Sequence, residues 1–263
     1  MIPRLLCALS VMLLCALSMM LSTAAAQAQG LILETLDDLA AIPEPPVLRA
    51  TLPRKVDMSG TLPAPRDQAD TSTCTSWSTT YAAASQTARR NGLGAALILS
   101  PSFTYNIVSG DHTCRISTST SATLDVLKNV GALPIEEYVF DAGWCGRVPT
   151  AAEKQRAARY RIKNWSRFDA TDLTMVKQQL ARGVAVVFGM RVGATVTAWR
   201  GDGIVNEDRD LAGSHAMVVV GYDDDRQAFR ILNSWGRNWG EGGYGWFGYD
   251  FWKRNVKVGF VIE

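Results

Sequence analysis

Residues 213–249 read GSHAMVVVGYDDDRQAFRILNSWGRNWGEGGYGWFGY, and the fold class is decided there. AMVVVGY (216–222) and FRILNSW (229–235) are rich in β-branched and aromatic residues and flank a turn at Asp223-Asp224-Asp225, the pattern of an antiparallel hairpin. With the turn centred near 224–225, paired positions sum to about 449. His215 then lies opposite Ser234, with Asn233 and Trp235 in diagonal reach of its ring. Working outward, YRIKNWSRF (160–168), VAVVFGM (184–190), YGWFGY (244–249) and the terminal VKVGFVIE add further strand signals.

The part of the chain before this sheet reads as helical. In CTSWSTTYAAASQTARRNG (74–92), apolar or small residues at 74, 77, 81, 82, 84 and 85 predict a helix packed on one face. Ser72 or Thr73 caps its start and Gly92 stops it. Helices are also expected over 121–130, near 151–159 and near 171–181. The fold class is therefore α+β, with two lobes: an N-terminal helical lobe and a C-terminal antiparallel β lobe. A cleft between two such lobes is a natural place for a site.

With 263 residues, 47% hydrophobic and 20% charged, the composition excludes a disordered, collagen-like or multi-span membrane chain. Arg4, the apolar run LLCALSVMLLCALSMMLS (5–22) and the Ala26-Gln27-Ala28 site have the order of a secretory signal. An uncleaved membrane anchor is the alternative, because the run approaches spanning length. Residues 1–28 are read as signal peptide, 29–51 as a short leader stiffened by Pro43, Pro45 and Pro46, and 52–263 as the folded domain. Export to the periplasm or the outside is expected, without stable membrane association after cleavage. Setting Arg4 aside leaves 26 basic residues against 25 acidic ones, a balance that gives no support to a nucleic-acid partner. No oligomerisation signal is seen, and a monomer is expected.

Of the five cysteines, Cys7 and Cys15 belong to the signal, leaving Cys74, Cys114 and Cys145. An odd number in an oxidising compartment leaves one candidate reactive thiol. Cys74 falls in the first turn of its helix, where unpaired N–H groups and the helix dipole favour a thiolate. The plain alternative is a buried, inert cysteine. For His215 it is a histidine that merely satisfies a strand end, a reading that neighbouring Asn233 weakens: an amide can orient the imidazole without adding charge. Trp235 can shield that bond from water. Gln68, on a loop before the helix, can return its amide to the thiol and form an oxyanion hole with the Cys74 N–H. His112 is read as a surface-loop residue.

Gln68-x5-Cys74 opening a helix, then GSHAMVVVGY, then ILNSWGRNWGEGGYGWF, resemble the papain-like cysteine peptidases, which run in the order Gln, Cys, His, Asn. The resemblance covers roughly residues 52–263 and includes LSPSFTYN, GALPIEEY and WRGDGIV. It implies a two-lobed peptidase acting on protein or peptide substrates with no metal or organic cofactor. In that scheme Cys74 attacks the scissile carbonyl to form a thioester, His215 moves the protons, Asn233 orients His215, Gln68 helps bind the oxyanion, and Trp235 covers the Asn–His bond. The rival readings are a cell-wall amidase or acyltransferase with the same thiol chemistry, and an inactive binding protein with the same fold.

The sequence departs from that pattern in several places. Ala69 follows the glutamine where a glycine is usual, Ser72-Thr73 precede the nucleophile, and Thr75 follows it in place of an aromatic. Thr71 stands where the family has a disulfide cysteine. With Cys74 given the nucleophile's role by the resemblance, Cys114–Cys145 is the expected bridge, the alternative being three free thiols. Ser117 and Thr118 align with the family's cleft-lining glycines, and a smaller or more polar acyl-side subsite is expected, with Val187 and Ala216 as further walls. Whether residues 29–51 cross the cleft is left open by the sequence.

Overall fold

Cys74 opens a helix, α1, made of Cys74–Ser76, a π-helical stretch Trp77–Ala84, and Ser85–Arg90. The computed structural model describes residues 30–47, 50–111, 113–143, 145 and 147–263. The expected signal peptide, Gln29 and His112 therefore lie outside the described residues. Sequence spacing predicts a helix packed on one face, yet every residue from Thr71 to Ala88 is buried. The reason is composition: Ser, Thr and Ala are small enough to be surrounded, and their hydroxyls find partners inside the helix. Ser78 Oγ donates to the Cys74 carbonyl (3.0 Å) and Thr79 Oγ1 to that of Thr75 (2.6 Å), bonds that compete with the regular ladder. A widened helical turn next to a functional residue is a known use of π geometry.

Around α1 lie α2 (Pro101–Ser109), α3 (Thr120–Asn129) and α4 (Ala151–Ala157). Ser119 caps α3 by accepting from the Ala122 N–H, and Thr150 with Glu153 forms a capping box on α4. The sequence reading had no helix over 101–109. Its signal is Pro101 at the first helical position and Gly110 in the left-handed region just past its end. Cys114 and Cys145 are disulfide-bonded and packed with Tyr105, as expected from the resemblance.

The other lobe is a sheet. In chain order the strands are β1 (Leu31–Ile32), β2 (Lys55–Asp57), β3 (Thr118–Ser119), β4 (Trp165–Asp169), β5 (Val186–Val192), β6 (Ile204–Val205), β7 (Gly213–Asp223), β8 (Ala228–Leu232), β9 (Tyr244–Gly248) and β10 (Val258–Ile262). Helices α5 (Leu173–Ala181) and α7 (Tyr249–Asn255) pack against it, and the short α6 (Ala194–Thr197) follows β5. β1 and β3 form a separate two-stranded parallel sheet; the main sheet has the order β4-β10-β5-β7-β8-β9-β6, with β2 also paired to β7, and within it the pairings are antiparallel except β6 with β9. Residues of α1, including Trp77 and Tyr81, share one continuous core with Val186, Val218, Phe229 and Trp252 of the sheet lobe. Two lobes with one core fix the start of α1 against the start of β7. Asp224 of the acidic turn is bonded to Lys177 and Tyr249 (2.6 and 2.7 Å).

Candidate active site

Cys74 is the free cysteine among the described residues and is fully buried. Its sulfur sits at the start of α1, where the backbone N–H groups of Ala216, Thr75 and Cys74 itself donate toward it and favour the thiolate. Burial outweighs them and pushes the thiol up to about 12. The imidazole of His215 is equally enclosed, and the loss of water pulls it down to about 4, against a raising contribution from Asn233. Burial thus works toward the neutral forms of both groups, thiol and imidazole.

The hairpin carries His215 to Asn233 with a register that differs from the expected one. Asp223 pairs with Ala228 and Tyr222 with Phe229; after an irregularity between Val219 and Gly221, Val218 pairs with Leu232. Pairs beside the turn sum to 451, because the turn is centred one residue later than expected; the bulge takes one position back, and continuing the resulting register of 450 puts His215 level with Trp235, not Ser234. The contacts agree: the His215 and Trp235 rings stack with centroids 4.2 Å apart and planes 21° from parallel. Asn233 Oδ1 lies 2.7 Å from His215 Nε2 and also accepts the Ser234 N–H at 2.7 Å. An atom that accepts from a backbone N–H is the oxygen, so Nε2 carries the proton. Nδ1 is left as a lone pair, buried and without a hydrogen-bond partner.

Gln68 is held by the same segment. Its N–H donates to the Ser234 carbonyl (2.8 Å), its Oε1 accepts from Ser234 Oγ (2.6 Å), and its Nε2 donates to the Thr71 carbonyl (2.7 Å). One amide hydrogen of Gln68 remains for an oxyanion. Ser234 is a positioning residue that the sequence reading did not single out, although it lies inside the Asn-Ser-Trp-Gly box. Ala69 adopts φ +55°, which explains why a glycine suits that position. Thr75, placed where an aromatic is usual, hydrogen-bonds through its hydroxyl to that of Thr118.

That bond corrects one expectation: Thr118 is buried, its side chain turned to Thr75 and its backbone paired with β1. Ser117, beside it, is half-buried. Val187 is also misplaced by the sequence reading. It is wholly buried in the main core, paired with Val218, one pleat deeper than Gly189, which does border the cleft. Ala216 is buried and packed with Cys74.

The third member of that small cluster is Leu31. Leader strand β1 runs parallel to β3, Leu31 beside Thr118 and Ile32 beside Ser119, with the Thr118 N–H donating to the Gly30 carbonyl at 3.0 Å. Two glycines permit this approach. A Cβ on Gly30 would meet the Ser72 backbone at 2.6 Å, and one on Gly189 would meet Leu31 Cδ2 at 2.3 Å. Strand β1 thus lies beside β3 and packs over Cys74 through Leu31.

Comparison with known proteins places this arrangement. The profile of a family described as papain family cysteine protease matches residues 52–255. Xylellain, a cysteine protease from Xylella fastidiosa, has a similar structure, with a TM-score of 0.78 and 25% identity over 92% of this chain and 98% of its own. The Carica candamarcensis cysteine protease CMS1MS2, solved in complex with E-64, shares the fold at a TM-score of 0.61 and 21% identity, covering 79% of this chain and 97% of its own. Among curated sequences, Peptidase 1 of the mite Euroglyphus maynei is 28% identical over 103 residues, 37% of this chain and 32% of its own length. Chymomexicain of Jacaratia mexicana is 27% identical over 135 residues, 51% of this chain and 59% of its own. The chain therefore spans about a third of the mite relative and about three-fifths of the plant one.

Proposed function

Because the chain belongs to the papain family of cysteine proteases, we propose that it hydrolyses peptide bonds in protein or peptide substrates by thiol chemistry, held closed by its own leader until that leader moves. The observation that carries this reading is the bonding of His215. With Nε2 fixed on Asn233, the lone pair of Nδ1 is the free base of the site, and the Cys74 thiol, packed on Ala216 next to His215 in the chain, is wrapped by three backbone donors.

Departure of the leader admits water and removes much of the desolvation that keeps both groups neutral. The Cys74 proton then passes to His215 Nδ1, and the thiolate attacks the scissile carbonyl. The Cys74 N–H and the remaining Gln68 amide hydrogen receive the oxyanion. Collapse to the thioester expels the amine, which takes the proton from His215. The same nitrogen next deprotonates water, which attacks the thioester and frees Cys74. Trp235, stacked on the imidazole, keeps water from the His215–Asn233 bond throughout. Export fits the Cys114–Cys145 disulfide, since such bonds persist in oxidising compartments.

Labelling with E-64 tests the proposal. The full chain carrying Leu31→Arg is expected to take up the epoxide at Cys74, and Leu31→Arg with His215→Ala is expected to lose that labelling. A folded Leu31→Arg chain that neither labels nor cleaves casein would favour a binding protein that kept only the fold.

A further inference from the structure

Past Leu31 the chain continues along a groove of about 610 Å³. Its lining divides by origin. The leader contributes Glu34 and Asp37; the body contributes Thr120, Gly189, Leu211 and Phe260, together with three cations, Arg191, Arg254 and Lys257. Among the described residues no carboxylate of the body lines it. Each cation donates to a backbone carbonyl: Arg191 to Leu211 (3.0 Å), Arg254 to Asn206 (2.9 Å) and Lys257 to Lys253 (2.8 Å). Among the described residues none of the three is in an ion pair. Glu34 is turned away to the Ser121 backbone N–H and hydroxyl, at the start of α3.

We infer that this groove selects substrates with an acidic side chain on the acyl side of the cleaved bond, bound by Arg191, Arg254 and Lys257. The inference rests on the peptidase reading and deepens it. With the leader in place, its acids bring negative charge to a groove whose other charged lining residues are the three cations. With the leader gone, three unpaired cations surround an apolar floor of Gly189, Val258 and Phe260. A peptide whose backbone adds to β3 presents its acyl-side residues to that floor, as Leu31 and Leu33 are presented now: Leu31 Cδ2 and Leu33 Cδ2 both lie over Gly189. An aspartate or glutamate there gains the field of all three cations, and a lysine is repelled by them.

The test uses the full chain carrying Leu31→Arg and a fluorogenic peptide with alanine at the second, third and fourth residues before the scissile bond. Each position is then replaced by Glu or Lys. The expected result is that kcat/KM for the Glu peptide exceeds that for the Lys peptide by about tenfold or more at one of these positions in low salt, shrinking severalfold at high ionic strength. Adding Arg254→Glu and Lys257→Glu should invert the ratio. Cleavage of the alanine peptide with no Glu-over-Lys preference at any position overturns the groove assignment and leaves the peptidase reading standing. Cleavage of no peptide at all overturns the peptidase reading, and this inference falls with it.

Discussion

Asn233 Oδ1 is shared between His215 Nε2 and the Ser234 N–H, each at 2.7 Å, and the shared acceptor fixes the tautomer of the imidazole. Asn233→Ala removes the acceptor, freeing the ring to turn and its proton to occupy either nitrogen. The expected cost is a fall in kcat of about 100-fold or more, with KM nearly unchanged. A fall confined to KM would assign Asn233 to substrate binding instead.

Ser234 acts one step further back, through its hydroxyl on Gln68 Oε1. Ser234→Ala leaves the Gln68 amide held on one side only, so kcat should drop about tenfold while E-64 labelling of Cys74 persists. Gln68→Ala, which deletes the oxyanion donor itself, should cost about 100- to 1000-fold. Equal losses in the two variants would mean that Ser234 is not acting by positioning Gln68.

The closed state should have a bounded pH range. His215 is held near 4 in the fold against an ordinary 6.5, so between those values an opened or unfolded chain binds a proton that the closed one refuses. The closed state therefore loses stability as pH falls through that window, by about 3 kcal/mol at most. Cys74 is shifted the other way, from 9.0 to about 12, so the closed state also weakens as pH rises through that range. Melting temperatures from pH 4 to 8 should climb toward neutrality, and His215→Ala should flatten the climb.

Ala69 spends the native state at φ +55°, a region that costs a residue with a Cβ about 1 kcal/mol. Ala69→Gly relieves the strain, with part of the gain offset by extra freedom in the unfolded chain. The melting temperature should rise by about 1–3 °C. A fall would mean that the Ala69 methyl contributes packing worth more than the strain.

Much of this was legible in the residues. The β-branched runs around 216–222 and 229–235, with their acidic turn, gave the hairpin, and the Gln, Cys, His and Asn order gave the site. What was not legible has physical causes. The turn is centred one residue later than the acidic run suggests, and the bulge near Val220 takes back one of the two positions gained; alternation reveals neither, and together they put His215 level with Trp235 instead of Ser234. Ser, Thr and Ala at helical spacing cannot distinguish a helix buried all round from a half-exposed one, because small hydroxyl residues suit both. The inward turn of Thr118 depends on Thr75, 43 positions earlier. The path of the leader depends on Gly30 and Gly189, two glycines unremarkable in sequence that leave room for Leu31.

The central claim is that Cys74 and His215 become an ion pair once Leu31 leaves. The most direct measurement is the rate of Cys74 alkylation by iodoacetamide from pH 3 to 10, followed by mass at the Cys74 peptide, in the full chain and in its Leu31→Arg variant. The account predicts a nearly unreactive thiol in the full chain at neutral pH, and in the variant a reactive thiolate that persists well below pH 7 and disappears with His215→Ala. Alkylation of the variant that begins only near pH 9, with or without His215, would contradict it.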